Sequence, residues 1–142
     1  MSNINWDKVV PGKTPEEKFA EAVAQKRREI WGAGDAILAS VKTNFTEAEI
    51  ESWSKQEQGA KDLIAGSTDT EAALFVTAIA TQRGIEPRTL AEKIMGNVAS
   101  YGALSAAVIG EQQRLDDLIK AATTQSDLDA IVWILNPLET EA

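Results

Sequence analysis

The chain has 142 residues, a formal net charge of −8 at pH 7, and neither cysteine nor histidine. Disulfides, thiol nucleophiles, imidazole acid–base catalysis and zinc sites built on Cys or His are therefore excluded. The acidic balance argues against a nucleic-acid partner, because affinity for phosphates comes largely from Lys and Arg. We expect a single domain that is not an enzyme and carries no cofactor or metal.

The sequence contains no run that approaches the roughly 18 apolar residues of a membrane-spanning helix. Its first ten residues, MSNINWDKVV, also lack the apolar centre of a signal peptide. We therefore expect a soluble protein of the cytoplasm that has no membrane partner.

Residues 1–13 contain a proline and a glycine and show no helical period, which predicts a flexible N-terminal arm. Trp6, Val9 and Val10 make this arm apolar enough to dock on another surface. Two interpretations stay open: the arm covers one end of this chain's own helices, or it inserts into a partner subunit. These three residues are candidates for partner binding.

Three threonines predict the starts of the first three helices. Thr14 precedes a proline and two glutamates, which predicts an N-cap and a helix that reaches residue 41 or 42. Thr46 repeats the capping pattern for a second helix that ends before Gly66. A third, short helix begins near residue 69 or 70 and closes at Gly84.

Inside the first helix, Gly34 and its neighbour Gly32 predict either a kink or the close approach of another helix, and we favour close approach.

The longest helical pattern covers residues 87–122 and would span roughly 54 Å as one helix. Its inward stripe advances in steps of three and four residues. The stripe comprises Leu90, Ile94, Val98, Tyr101, Ser105, Val108, Gln112, Leu115, Ile119 and Ala122. Gly96, Gly102 and Gly110 predict close packing of a neighbouring helix, and a kink near Gly102 is left open.

A terminal helix of about ten residues is expected after an N-cap at Ser126, and the Asn136-Pro137 pair ends it. The chain then divides into the arm at 1–13, a helical bundle at 14–135 and an acidic tail at 136–142. No segment alternates as a strand would. We predict an all-α bundle of about five helices in up-down packing.

Few side chains suggest chemistry. Asp116 and its neighbour Asp117 point about 100° apart on a helix, and the Glu47–Glu51 pair is too sparse for a firm metal site. The cluster at 26–28, two arginines and a lysine, is interpreted as a solvated face or, alternatively, an anion patch.

Two further residues are candidates for partner binding. Gln112 lies on the apolar stripe. Two interpretations stay open: it is a partly exposed residue near the end of the bundle, or it is a buried amide that fixes helix register or a subunit interface. Trp133 lies in the short last helix, and tryptophan is enriched at protein interfaces.

The order of several phrases resembles the helical modules of tail-fibre-associated proteins, often described as tail fibre assembly proteins, from bacteriophages and prophages. The phrases are TPEEK at 14–18, KRREI at 26–30, WSKQEQGA at 53–60, AIATQRGI at 78–85, LAEKI at 90–94, IGEQQ at 109–113 and LIKAATT at 118–124. Each phrase alone is weak, but together they cover nearly everything from residue 14 to residue 133.

The resemblance implies a non-enzymatic assembly factor, similar to a chaperone, that binds a phage tail-fibre or tail protein in the cytoplasm of the host cell. An alternative is a structural component that stays in the tail or fibre of the virion. A helical bundle that binds a small molecule is the third possibility. Association with further copies of the chain, as a homo-oligomer, is compatible with each of them.

Overall fold

A computed structural model describes residues 12–134, and these form five α-helices and no strand. The helices are α1 (Pro15–Lys42), α2 (Glu47–Ile64), α3 (Glu71–Arg83), α4 (Pro87–Ala121) and α5 (Gln125–Asp129). The all-α bundle of five helices is confirmed. Most of the predicted arm, with Trp6, Val9 and Val10, and the whole predicted tail at 136–142 lie outside the described residues.

The predicted starts of the first three helices are confirmed by hydrogen bonds. Each cap threonine accepts a bond from a backbone N–H three residues later. The distances are 3.1 Å at Thr14, 3.2 Å at Thr46 and 3.0 Å at Thr70. Gly84 ends α3 with φ of 73°, a left-handed conformation that glycine adopts without steric cost. A turn of three residues then leads into α4.

The prediction for the terminal helix was wrong in its start and its length. Its N-cap is Thr124 rather than Ser126, because Thr124 and Asp127 form a reciprocal capping box two residues earlier. Backbone N–H groups of Thr123 and Thr124 donate to the Asp127 carboxylate and lower its pKa. The helix stops at Asp129, and residues 131–134, mostly β-branched, continue without helical structure.

Helix α4 is one continuous helix of 35 residues and is not interrupted at Gly102. Helix α1 runs antiparallel to its C-terminal half. Arg27 of α1 pairs with Asp116 of α4. Four residues later on α1, the carbonyl of Trp31 accepts a hydrogen bond from Gln112, which lies four residues earlier on α4. The C-terminal half of α4 is therefore covered by α1, with α5 packed on α1.

Helix α2 packs on the N-terminal half of α4, so α1 and α2 follow one another along the same long helix. Trp53 of α2 lies against Tyr101, and the C-terminal turns of α2 share a core with the first turns of α4. This arrangement differs from the predicted up-down packing, in which α1 and α2 would lie side by side. Helix α3 packs on α2 and α4.

Two separate clusters of buried side chains result, one on each half of α4. The first core contains Ala60, Leu63, Ala73, Val76, Ala80, Leu90, Ala91 and Ile94. The second core contains Ile30, Leu115, Ile119, Leu128 and Ile131. The predicted α4 stripe supplies buried residues to both, and the middle of α4 lies between them.

The predicted role of the α4 glycines was wrong. A Cβ built at Gly96, Gly102 or Gly110 would meet no neighbouring atom within 4 Å, so these residues face open space in the described structure. Gly96 and Gly110 come two residues after stripe positions, a rotation of about 200° that turns them away from the stripe. Gly102 comes one residue after Tyr101, a rotation of about 100°, and lies on the flank of the stripe. Close approach occurs at Gly59, where a Cβ would lie 2.2 Å from the carbonyl oxygen of Ala72.

Candidate functional site

An open groove lies over the middle of the molecule, between the two cores. The end of α1, the first half of α2 and residues 90–107 of α4 line it, and its volume is about 980 Å³. We call it the central groove and define it by Phe45, Trp53, Val98, Tyr101 and Leu104. It exists because α1 ends at the middle of α4 and α2 covers only one side of the next stretch.

Three aromatic rings form a continuous row in the central groove. The ring of Phe45 meets the indole of Trp53 edge to face, with centroids 5.3 Å apart and an interplanar angle of 86°. The indole is tilted against the ring of Tyr101 at 5.4 Å. Both contacts fall in the range favoured by aromatic quadrupoles. All three side chains are half-buried, so part of each remains available to a partner.

Charged side chains stand along the edges of the central groove. Glu49 and Glu57 come from α2, whereas Arg83 ends α3 and Lys93 projects from α4. Glu57 pairs with Lys61 one turn along α2, with 3.3 Å between oxygen and nitrogen. The groove therefore combines an apolar, aromatic floor with charged edges of both signs.

The basic cluster at 26–28 divides into separate roles, and two of its members hold the helices together rather than forming a solvated face. Arg27 donates to the Asp116 carboxylate at 2.8 Å, and Lys26 donates to the carbonyl of Ile131 at 3.3 Å. Hydrogen bonds from Arg27 and Lys120 hold the pKa of Asp116 below its usual value. Arg28 donates to the side chain of Gln25 on its own helix at 2.8 Å and forms no ion pair with another described residue.

Gln112 joins α1 to α4 within the chain. Its side-chain amide donates to the carbonyl of Trp31 at 3.1 Å and lies directly over Gly34. The close approach favoured for α1 therefore occurs at Gly34, while Gly32 faces open space. The Gln112 side chain is half-buried, and its hydrogen bond links α4 to α1. A role in fixing the register of the two helices stays a prediction, and so does a role at a subunit interface.

Trp133 follows α5 and packs against the second core. Its side chain is half-buried, and its indole nitrogen is buried without a hydrogen-bond partner in the described part of the chain. The flanking Val132 and Ile134 are well exposed, at 55% and 71%. The structure places Trp133 and Gln112 on the C-terminal half of the molecule, away from the aromatic row, and partner binding by either residue stays a prediction.

Sequence reasoning missed one buried charge. Glu111 is only 7% exposed, one residue from the predicted stripe position Gln112. Arg114 donates to its carboxylate at 2.5 Å, and this hydrogen bond raises the pKa of Arg114. The signal available in the sequence was the i, i+3 spacing of the two charges on one helix.

Among residues 12–134, no group of three or more acidic side chains is arranged to hold a metal ion. Glu47 and Glu51 are exposed. The Asp116 carboxylate accepts hydrogen bonds from its cationic neighbours and does not form a carboxylate pair with Asp117. None of the described helices is long and apolar enough to cross a membrane.

Comparison with known proteins gives one partial similarity. A family model described as the HI1402 helical domain matches residues 97–133, about a quarter of the chain. The matched segment is similar to that domain over the C-terminal part of α4, α5 and the stretch up to Trp133, and it includes Tyr101 of the aromatic row. No curated protein and no solved structure matches the chain.

Proposed function

We propose that this protein is a non-enzymatic binding module, a phage tail-fibre assembly factor that holds a segment of a fibre or tail protein in its central groove. The observation that carries the binding role is the row of half-buried rings, Phe45, Trp53 and Tyr101, at the floor of a groove of about 980 Å³. The phage context rests on the resemblance of the helical phrases to tail fibre assembly proteins.

The physical basis of the proposed activity is temporary burial of apolar surface. Tyrosine and tryptophan contribute much of the binding energy at protein interfaces, because each buries a large area at a low cost in side-chain entropy. A helix or an extended segment of an unfolded fibre chain would cover the rings and be kept from aggregating. The net charge of −8 would keep the complex in solution.

The test is co-expression with a long phage tail-fibre protein. The double variant Trp53→Ala/Tyr101→Ala should abolish the yield of soluble, trimeric fibre that the unaltered chain supports. Trp31→Ala is the matched control, because this indole is 49% exposed on α1 and does not line the groove. Circular dichroism of each variant establishes that the helices remain. Equal fibre yields for the double variant and the control would refute the groove as the binding site.

Purified virions separate the assembly factor from a component retained in the tail. An assembly factor acts in the host cytoplasm and is absent from mature particles. Fixed stoichiometry of this chain in the particles, measured by mass spectrometry, would replace the proposal with the structural role.

A small-molecule site is the second candidate, and the size of the groove favours it. Pockets for small ligands typically have volumes of about 300–1,000 Å³. A thermal-shift screen of the free chain would support this reading if a hydrophobic compound stabilised the unaltered chain and not the double variant.

A further inference from the structure

We propose that the occupant of the central groove is an amphipathic helix of about twelve residues with an acidic end, and that this end lies against Arg83 and Lys93. The inference rests on the proposed function and specifies the chemistry of its partner. Its basis is the charge distribution around the groove, together with the distance between the charged ends.

Arg83 and Lys93 are two of the five cations among residues 12–134 that form no ion pair, and they are the two of those five that line the central groove. Most of the others are paired, and the ion pairs include Arg27 with Asp116 at 2.8 Å and Lys55 with Glu71 at 3.1 Å. Neither Arg83 nor Lys93 has an ion pair or a side-chain hydrogen bond within residues 12–134, and both line the groove. Carboxylates of an occupant would find two uncompensated positive charges there.

Of the two groove carboxylates, Glu57 lies on the Lys93 side of Trp53 but is paired with Lys61. The carboxylate that forms no ion pair among residues 12–134, Glu49, lies at the opposite end of the groove. Trp53 faces Tyr101, and Glu49 lies one turn before Trp53 on α2. Because α2 runs antiparallel to α4, moving from Trp53 to Glu49 leads away from Lys93. The Glu49 carboxylate accepts a hydrogen bond from the Thr46 hydroxyl at 3.4 Å and forms no ion pair within the described chain, so it would favour a neutral or basic group on the occupant.

The distance between the two charged ends fixes the length of the occupant. Lys93 precedes Tyr101 by eight residues and Glu49 precedes Trp53 by four, which at 1.5 Å per residue gives about 12 Å and about 6 Å. The total of roughly 18 Å corresponds to a helix of about twelve residues. Apolar side chains at steps of three and four along that helix would cover the aromatic row, as in other helix-in-groove complexes.

The experiment uses two synthetic helical peptides with the same leucine stripe. One carries three glutamates at one end, and the other carries three lysines at the same positions. Fluorescence anisotropy of each labelled peptide with the full chain measures its affinity. We expect the glutamate peptide to bind at least about tenfold more tightly at low salt, and the difference to shrink as added salt screens the exposed charges.

Charge reversal at the groove provides the decisive variant. Lys93→Glu should remove or invert the preference for the glutamate peptide. Lys18→Glu is the matched control, because Lys18 is an exposed cation on α1 that does not line the central groove. Equal affinities of the two peptides for the unaltered chain, or equal behaviour of the two variants, would overturn the inference.

The same measurements distinguish failure of the acidic-end inference from failure of the groove as a binding site. If the Trp53→Ala/Tyr101→Ala variant loses both peptides while charge reversal has no effect, the acidic-end inference fails and the groove remains a binding site. If neither alteration changes binding of either peptide, the inference and the proposed groove both fail. A third outcome is that the free chain dimerises with increasing concentration and that Lys93→Glu abolishes the dimer. This result would assign the groove to a second copy of the chain and would also overturn the inference of a partner helix.

Discussion

The two cores on either half of α4 are held together in different ways. The first core includes four alanines, at positions 60, 73, 80 and 91, and its helices come close enough for Gly59 to meet the backbone of Ala72. The second core consists of isoleucines and leucines. Polar bonds at Arg27 and Gln112 join α1 to α4, and Lys26 joins α1 to the backbone that follows α5. One half depends on the approach of backbones, and the other on side-chain volume with polar bonds at its edges.

This difference predicts which substitutions each half tolerates. Small residues leave little room for an added atom, whereas large aliphatic residues leave a cavity when they are shortened. Adding a methyl group should therefore destabilise the first core, and removing methyl groups should destabilise the second.

Leu115→Ala should have the largest effect, with a loss of about 2–5 kcal/mol in the free energy of unfolding. Leu115 is 1% exposed in the second core, so the truncation leaves a cavity. Urea unfolding followed by circular dichroism measures the loss. Leu118→Ala, at a residue that is 44% exposed on the same helix, should change stability by no more than about 0.5 kcal/mol. Similar losses in the two variants would contradict a core built on volume.

Gly59→Ala should cost about 1–3 kcal/mol, because its new methyl group would overlap the Ala72 carbonyl and force α2 and α3 apart. Gly102→Ala is the control: it makes the same change in α4, where no neighbour lies within 4 Å. There the higher helix propensity of alanine should stabilise the chain by up to about 1 kcal/mol. Thermal unfolding compares the two, and a gain in stability at Gly59 would remove the distinction between the cores.

Asp116→Asn should cost about 1 kcal/mol at neutral pH, because it removes the negative charge that pairs with Arg27 and Lys120. Because the folded pKa of Asp116 is lowered, its contribution is present above the ordinary value near 3.8 and is lost as the pH falls through the folded pKa. The difference between the unaltered chain and this variant should therefore vanish in strong acid. Asp117→Asn is the control, and a difference that persisted at low pH would contradict the assigned cause.

Gly34→Ala should have the smallest effect, within about 1 kcal/mol of zero. Its Cβ would meet the Gln112 side chain from Nε2 to Cγ, and this flexible side chain can move away, whereas a backbone atom could not. The lost hydrogen bond to Trp31, about 1 kcal/mol, is offset by the similar gain in helix propensity. Urea unfolding would show whether the two terms cancel. A loss as large as that expected for Gly59→Ala would mean that this amide is as rigid as a backbone contact.

Much of the fold could be predicted from local signals, because caps act over three or four residues. Thr14, Thr46, Thr70 and Gly84 each determine a helix boundary through bonds to their own neighbourhood. The start of α5 was ambiguous because Thr124 and Ser126 are both good caps, and only the reciprocal bond to Asp127 distinguishes them.

The site was harder to predict because it depends on contacts between distant segments. Periodicity identified Tyr101 as an inward position, but it could not indicate that Trp53 lies beside it or that the flanking stretch of α4 stays uncovered. The same limit explains why the prediction for the α4 glycines was wrong. The sequence indicated close packing at Gly102, whereas the close contact with a neighbouring backbone occurs at Gly59, whose neighbour lies on another helix.

The antiparallel placement of α1 on the far half of α4 has a consequence for synthesis. The bond between Arg27 and Asp116 closes over 89 residues, whereas α2, α3 and the start of α4 are neighbours in sequence. At the roughly 5–20 residues per second of translation, Arg27 leaves the ribosome about 4–18 s before its partner. Of the five described helices, α1 is therefore made first and completes its contacts late, and its apolar face stays uncovered while α2, α3 and the start of α4 pack together.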